Sequence, residues 1–269
     1  RDDGLTLEVR NGEVAYVRRG GEIYEEADVL RRVLDRRTGG CLREETLYRN
    51  VCRVGYDLPA GTPVREEFLY AKRQQARQAL GLGDEPLIVS CWGSLGAREM
   101  NKKIAQFMRC ECEDSTPFHH IHATGSFGWR WMPDYVKEQG VDLAAHPALD
   151  MREYIYDMPQ VLAAADLIIC RAGAATIAEV CASGTPCIMV PSPNVTGNHQ
   201  EKNARVLEDA GAAAVVREAD CDGRSLYETA KAILSDPERT GGMRTAARGM
   251  AVVDAAERIY QTAIELARG

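Results

Sequence analysis

Leu167-Ile168-Ile169-Cys170-Arg171-Ala172-Gly173-Ala174-Ala175-Thr176-Ile177-Ala178-Glu179 is the stretch whose reading decides the fold. Four apolar residues, two of them β-branched, specify a short buried strand, and the small residues that follow make a tight turn into a helical pattern. The same alternation extends in both directions. Leu87-Ile88-Val89, His120-Ile121-His122 and Tyr154-Ile155-Tyr156 precede it, and Cys187-Ile188-Met189-Val190 and Ala213-Ala214-Val215-Val216 follow, with helical patterns between them. From Pro63 onward these runs predict an α/β protein with a doubly wound parallel sheet. Gly140 and Gly211 fall where helix C-terminal caps are needed, and Pro237 after Ser235-Asp236 stops one helical pattern before the last helices begin. In such a sheet the ligand lies beyond the carboxyl ends of the strands, so the loops after these runs are where chemistry is expected.

Composition bounds the function. The chain has 269 residues, 45% of them apolar and 27% charged, enough for a real core in one large or two modest domains. A formal net charge of −7 argues against capture of nucleic acid by the chain as a whole, so any anionic ligand must be held locally. Nine cysteines without a Cys-x-x-Cys pair fit a reducing compartment better than a disulfide framework. No apolar run reaches the roughly 18 residues of a membrane-spanning helix. The chain opens Arg1-Asp2-Asp3-Gly4, with neither an initiator methionine nor a signal peptide, and the expectation is a fragment. Composition shifts near residue 55: every basic residue before Lys72 is an arginine, and no clear apolar period is present. A short hairpin around Asn11-Gly12 and a helix over Ile23 to Leu34 are the elements expected there.

Three loops could carry chemistry. Gly93-Ser94-Leu95-Gly96-Ala97-Arg98 opens a helix, where two glycines, outward amides and the Ser94 hydroxyl would seat a phosphate; an ordinary strand-to-helix turn would look the same. In Arg171 to Glu179, Thr176 and Glu179 have the spacing of a capping box. The functional alternative has the Glu179 carboxylate accepting hydrogen bonds from a ribose diol while the preceding amides face a diphosphate. The third loop, Pro191 to Asn203, gathers amide, hydroxyl and imidazole groups that could read a sugar, or be a capped loop with Asn198 heading the helix. Cys110, Cys112, His119, His120 and His122 invite a zinc reading. Cys-x-Cys is not a usual ligand spacing, and His120 and His122 alternate with Ile121 as in a strand, so no metal site is expected.

Five motifs in order tie these loops to a known family: Gly61-Thr62-Pro63-Val64-Arg65-Glu66, the Gly93 to Arg98 loop, Glu153-Tyr154-Ile155-Tyr156-Asp157-Met158, Arg171 to Glu179, and His199-Gln200-Glu201-Lys202-Asn203-Ala204. Residues 56–269 resemble the carboxyl-terminal, donor-binding half of the MurG family. These are inverting, metal-independent hexosyltransferases that move N-acetylglucosamine from its UDP donor to the lipid-linked muramyl-pentapeptide of peptidoglycan synthesis. The resemblance implies a GT-B fold whose Rossmann-like donor domain is present here and whose amino-terminal acceptor domain is largely missing. It puts Arg65 and Ser94 near the donor phosphates and the backbone of Ile155 on the uracil edge. Ala174, Ala175 and Thr176 would line the diphosphate turn, Glu179 would bind the ribose hydroxyls and Gln200 would read the sugar.

Residues 1–55 depart from the family, lacking its glycine-rich loop and nearby histidine, and stay unassigned as a leader or remnant; the catalytic base would lie in the absent half. The resemblance implies no cofactor and no nucleic acid. Its partners are UDP-N-acetylglucosamine, the lipid-linked acceptor and, peripherally, the cytoplasmic face of a bacterial cell membrane, with roles in cell wall biogenesis, cell shape and cell division. Two readings follow. One is a truncated transferase; the other is a UDP-sugar-binding subunit active only with a separate acceptor-binding partner. A dinucleotide-dependent enzyme is disfavoured, since neither glycine turn spells G-x-G-x-x-G.

Overall fold

The computed structural model describes residues 5–10, 13–19, 22–24, 41–47, 51–57, 61–114 and 118–268. They form two compact units, one of residues 62–253 and the other of residues 1–61 with 254–269.

In the smaller unit, strands β1 (Leu5–Arg10), β2 (Glu13–Arg19) and β3 (Glu22–Tyr24) pair antiparallel, with Arg10 opposite Glu13. This is the hairpin expected around Asn11-Gly12, although the turn itself lies outside the described residues. The helix expected over Ile23 to Leu34 is not confirmed: Ile23 and Tyr24 belong to β3, and the rest of that span lies outside the described residues. Strands β4 (Cys41–Leu47) and β5 (Val51–Asp57) make a second antiparallel pair.

The larger unit is the predicted doubly wound sheet. Strands β6 (Leu87–Cys91), β7 (His119–Ala123), β8 (Leu149–Arg152), β9 (Leu167–Cys170), β10 (Cys187–Met189) and β11 (Ala213–Val215) run parallel in the order β11-β10-β9-β6-β7-β8. The chain starts at β6, works outward to β8, then returns to β9 on the other side of β6. That reversal between β6 and β9 opens a crevice at their carboxyl ends. Successive residues of the central strands feed opposite layers, as a period of two requires. Leu87, Val89, Ile121, Ile168 and Met189 face one core with Leu162 and Val180; Ile88, Leu167, Ile169 and Ile188 face the other with Ile104, Phe107 and Tyr227.

One expected strand is not one. Tyr154-Ile155-Tyr156 lies in the loop after β8, whose own sequence is Leu149-Asp150-Met151-Arg152. The alternation in Tyr154-Ile155-Tyr156 is real, with Ile155 buried between two exposed tyrosines, but it comes from a loop that tucks in a single side chain. An edge strand of four residues with two charged members gave no comparable signal.

Helices begin and end where local chemistry dictates. Gly140 and Gly211 take φ of +84° and +75° just past their helices. The helix Pro237–Gly249 has Pro237 in its first turn, and Asp236 caps it by accepting from the Arg239 amide at 2.9 Å. His120 and His122 point into one layer, as a strand demands. There the Ser90 hydroxyl bridges His120 Nε2 and His122 Nδ1 at 2.8 and 2.7 Å, and His120 Nδ1 meets Glu111 at 2.9 Å. Among the described residues no three His, Cys, Asp or Glu side chains converge to hold a metal ion, and no helix is long and apolar enough to cross a membrane.

Candidate functional site

The crevice is built by the loops after β6 and β9. After β6, Gly93 and Gly96 take φ of +80° and +79°, and the helix Arg98–Asp114 begins two residues beyond Gly96. A Cβ on Gly96 would lie 2.0 Å from the Thr124 carbonyl oxygen, so only glycine lets this loop pass so close to its neighbour. The two loops are also bonded: the Ser126 amide donates to the Ser94 carbonyl at 3.0 Å, and Asn101 Nδ2 donates to the Thr124 carbonyl at 2.8 Å. Ser94 is thereby fixed at the rim.

After β9, Gly173 is the N-cap of the helix Ala174–Ser183, and it makes no side-chain cap. Thr176 and Glu179 are therefore the third and sixth residues of that helix, and the capping-box reading is overturned. Spaced one turn apart, both side chains instead line a cavity of about 300 Å³ together with Ser94, Ile155 and Gln200. The helix presents its N-terminal amides toward the same crevice, a site suited to an anion.

Burial raises the Glu179 pKa above the usual carboxylate range, and the positive charge of Arg65 works against that rise. Arg65 lines an adjoining cleft with Tyr156 and Asp157 and lies 5.3 Å over the Phe68 ring. Gln200 Oε1 accepts from the Ser192 amide at 2.9 Å, and Asn203 donates to the Ala172 carbonyl at 3.2 Å, tying the third loop to the second. Asn198 does stand at the N-cap of the helix His199–Asp209, at φ +52°, but its side chain donates to Glu201 and caps no amide. Ala174 faces an apolar groove with Ile177 and Val206, while Ala175 is exposed and lines neither that groove nor the cavity.

Two cavity residues escaped the sequence reading. Arg171 forms a 2.7 Å ion pair with Glu218, donates to the Val190 carbonyl at 3.0 Å and lies 5.6 Å over the Trp92 ring. Trp92 is buried, and its Nε1 has no hydrogen-bond partner among the described residues. The available signal was position: a cation and an aromatic directly after strand runs at the carboxyl edge of a sheet. Cys91 also lines the cavity, but its thiol is pushed up to about 12 by burial and by the charge of Glu179, so it is no nucleophile at neutral pH.

The arrangement can bind a molecule carrying an anionic centre, hydroxyls and a flat face. Backbone amides suit the anion, Arg65 adds positive charge felt at Glu179 from outside the cavity lining, Glu179 is an acceptor for hydroxyls, and Ile155 with Met158 and Leu162 gives an apolar floor.

The sheet order and this crevice are those of the donor-type half of a GT-B glycosyltransferase. Residues 87–259 match the glycosyltransferase family 28 C-terminal domain, and the chain belongs to that family. It is 40% identical over 202 residues to the UDP-N-acetylglucosamine--N-acetylmuramyl-(pentapeptide) pyrophosphoryl-undecaprenol N-acetylglucosamine transferase of Caldanaerobacter subterraneus subsp. tengcongensis, covering 75% of this chain and 54% of that protein. The transferase of the same name from Acetivibrio thermocellus is 36% identical over 234 residues, 87% of this chain and 61% of that one. Among solved structures, Acinetobacter baumannii MurG superposes with a TM-score of 0.59 at 26% identity, over 74% of this chain and 56% of that chain. The chain thus spans between half and two thirds of the length of these relatives.

Proposed function

We propose that the crevice binds UDP-N-acetylglucosamine and that the protein transfers N-acetylglucosamine to a lipid-linked muramyl-pentapeptide, the step that turns lipid I into lipid II in peptidoglycan synthesis. The observation that carries this reading is the convergence of Ser94, Ile155, Thr176, Glu179 and Gln200 on one cavity, from loops far apart in sequence. In the proposed complex the N-terminal amides of the helix Ala174–Ser183, together with Arg65 and Ser94, hold the diphosphate. Glu179 accepts from the ribose hydroxyls, the Ile155 backbone meets the uracil edge, Ala174, Ala175 and Thr176 form the turn around the diphosphate, and Gln200 reads the sugar.

Transfer inverts the anomeric centre: the acceptor oxygen attacks as the bond to UDP breaks, and charge grows on the departing diphosphate. Fixed amides and a cation stabilise that charge in place of a metal ion. The base that takes the acceptor proton is assigned to none of these residues. Work at the cytoplasmic face of a bacterial membrane, in cell wall biogenesis, cell shape and division, belongs to the same proposal.

The second reading is a UDP-sugar-binding subunit that works only with a separately encoded acceptor-binding partner. Calorimetric titration with UDP-N-acetylglucosamine tests the shared core of both: saturable binding weakened by Glu179→Ala is expected, and no binding would sink them together. A transfer assay with the lipid acceptor, with and without the partner chain, separates them.

A further inference from the structure

At the amino ends of the central strands, the opposite end of the sheet from the donor crevice, three arginines converge on one carboxylate. Asp166 stands just before β9; Arg73 Nη2 lies 2.5 Å and Arg244 Nη2 4.0 Å from its Oδ1, and Arg77 Nη1 lies 3.2 Å from its Oδ2. Arg73 and Arg77 belong to the helix Arg73–Ala79, and Arg244 to the helix Pro237–Gly249. Part of this arrangement is structural. Arg73 Nη1 donates to the carbonyls of Ala164 and Ala165 at 2.7 and 2.9 Å, and Arg77 Nη1 to that of Ala164 at 3.2 Å, which caps the carboxyl end of the helix Met158–Ala164. Arg77 gives its Nε and Nη2 to the carbonyls of Gly83 and Glu85.

Arg244 goes beyond what a cap needs. Its bonds to the Gly184 and Ala165 carbonyls are long, at 3.3 and 3.4 Å, and among the described residues neither its Nε nor that of Arg73 has a partner. Both side chains line a pocket of about 340 Å³ walled by Pro86, Leu234, Pro237 and Thr240, and the one carboxylate lining it is that of Asp166. Three guanidinium groups share that single negative charge, so a chain with a net charge of −7 carries a local positive excess here. The crowding is felt. Burial, and then the charge of Arg73, lower the Arg244 pKa from the ordinary arginine value; Asp166 opposes the shift and Arg248 adds to it. An anion entering the pocket would relieve that repulsion, in a half-buried setting that salt screens less than an open surface. Free guanidinium edges match the oxygens of a phosphate group, which they hold through charge-assisted hydrogen bonds.

We propose that the pocket between the helices Arg73–Ala79 and Pro237–Gly249 is a second anion site, in which Arg73 and Arg244 bind the phosphate group of a small molecule. Occupancy braces the two helices against each other. The site is independent of the proposed function, because none of its residues lines the donor crevice.

The test titrates inorganic phosphate into the 269-residue chain at constant ionic strength, with chloride as the control and glycerol 3-phosphate as a second probe. Saturable binding with a raised melting temperature is expected. Arg244→Gln and, separately, Arg73→Gln are each expected to weaken it by about tenfold with UDP affinity unchanged, and Arg65→Gln to leave it in place. Tighter binding of glycerol 3-phosphate would identify an ester as the ligand, tighter binding of inorganic phosphate the free anion, and either upholds the site. Because the arginines also cap a helix, the unaltered chain supplies a second measurement. Phenylglyoxal modifies accessible arginines, and phosphate is expected to protect Arg73 and Arg244 from it in peptide maps. Absence of saturable phosphate binding overturns the proposal. Binding lost in Arg65→Gln and kept in Arg244→Gln also overturns it, by placing the phosphate in the donor crevice, as does protection that falls on other arginines alone.

Discussion

At the scale of single residues, Glu179 concentrates the proposal. Removing its carboxylate takes away a charge-assisted acceptor, and Glu179→Ala is expected to weaken UDP binding by about 1.5 to 3 kcal/mol, roughly ten- to hundredfold. Because Gly173 and not Thr176 heads the helix, the same substitution removes no cap and melting is expected to hold. A lower melting temperature with unchanged affinity would return Glu179 to a structural role. The raised pKa adds a pH signature. The ionised form is the acceptor, so ligand binding pulls the proton off and affinity falls as pH is lowered through a range higher than that of an ordinary carboxylate. Titration in two buffers of different ionisation enthalpy, just above the ordinary carboxylate range, is expected to show release of a fraction of a proton, lost in Glu179→Gln. The sequence held both readings open because Thr and Glu three apart look alike in a cap and on a cavity wall. A difference of three residues in where the helix starts separates them, and helix boundaries are what periodicity fixes least well.

At the scale of elements, the strands β6, β9 and β10 were legible because burial on both faces demands near-continuous apolar runs, whereas β7 showed as the alternation His120-Ile121-His122 and the edge strand β11 as the run Ala213-Ala214-Val215-Val216. β8 was not, since an edge strand needs only one apolar side chain inward, and Tyr154-Ile155-Tyr156 imitated a strand better than the strand did. The polar filling of β6 and β7 was legible only in part. Spacing placed His120 and His122 on one face, but nothing in it indicated Ser90 and Glu111 as their partners. This buried cluster predicts acid sensitivity. Burial, and then the neighbouring His120, lower the His122 pKa from 6.5 to about 3. A histidine depressed in the folded state contributes stability that is full above its unfolded pKa and is lost as pH falls from about 6.5 toward 3. Between pH 6.5 and 5 this group alone is expected to cost about 2 kcal/mol, and urea unfolding of His122→Gln at the two pH values is expected to show a slope reduced by that amount. An identical slope would mean that His122 is protonated without penalty. The loop after β6 gives a sharper comparison. Gly81 and Gly96 both have positive φ, but only Gly96 would press a Cβ into backbone. Gly81→Ala is expected to cost about 1 to 2 kcal/mol, the backbone strain alone, and Gly96→Ala distinctly more, with loss of UDP binding because Ser94 shifts. Equal melting temperatures for the two variants would show that the close approach of the loops is not rigid.

At the scale of the whole molecule, the donor-binding half was legible because five loop motifs in fixed order leave few alternatives, whereas residues 1–55 carried no periodic pattern from which to argue. The proposal of metal-independent donor binding belongs to this scale, because it depends on whether charge from several elements suffices around a diphosphate. The helix N-termini after β6 and β9 and Arg65 supply positive potential from three parts of the chain, and donor binding is expected to be unchanged by EDTA. Turnover is expected to behave differently. Donor groups alone stabilise a leaving group but supply neither an acceptor site nor a base, so the purified 269-residue chain with UDP-N-acetylglucosamine and lipid acceptor is expected to bind donor without forming product. Product formed by this chain, with no partner added, would show that residues 1–61 or the carboxyl-terminal helix Ala255–Arg268 provide an acceptor surface that the family comparison gave no reason to expect. Donor affinity that collapses on chelation and returns with a divalent cation would instead show that the amides and Arg65 are insufficient, and would place a metal ion at the diphosphate.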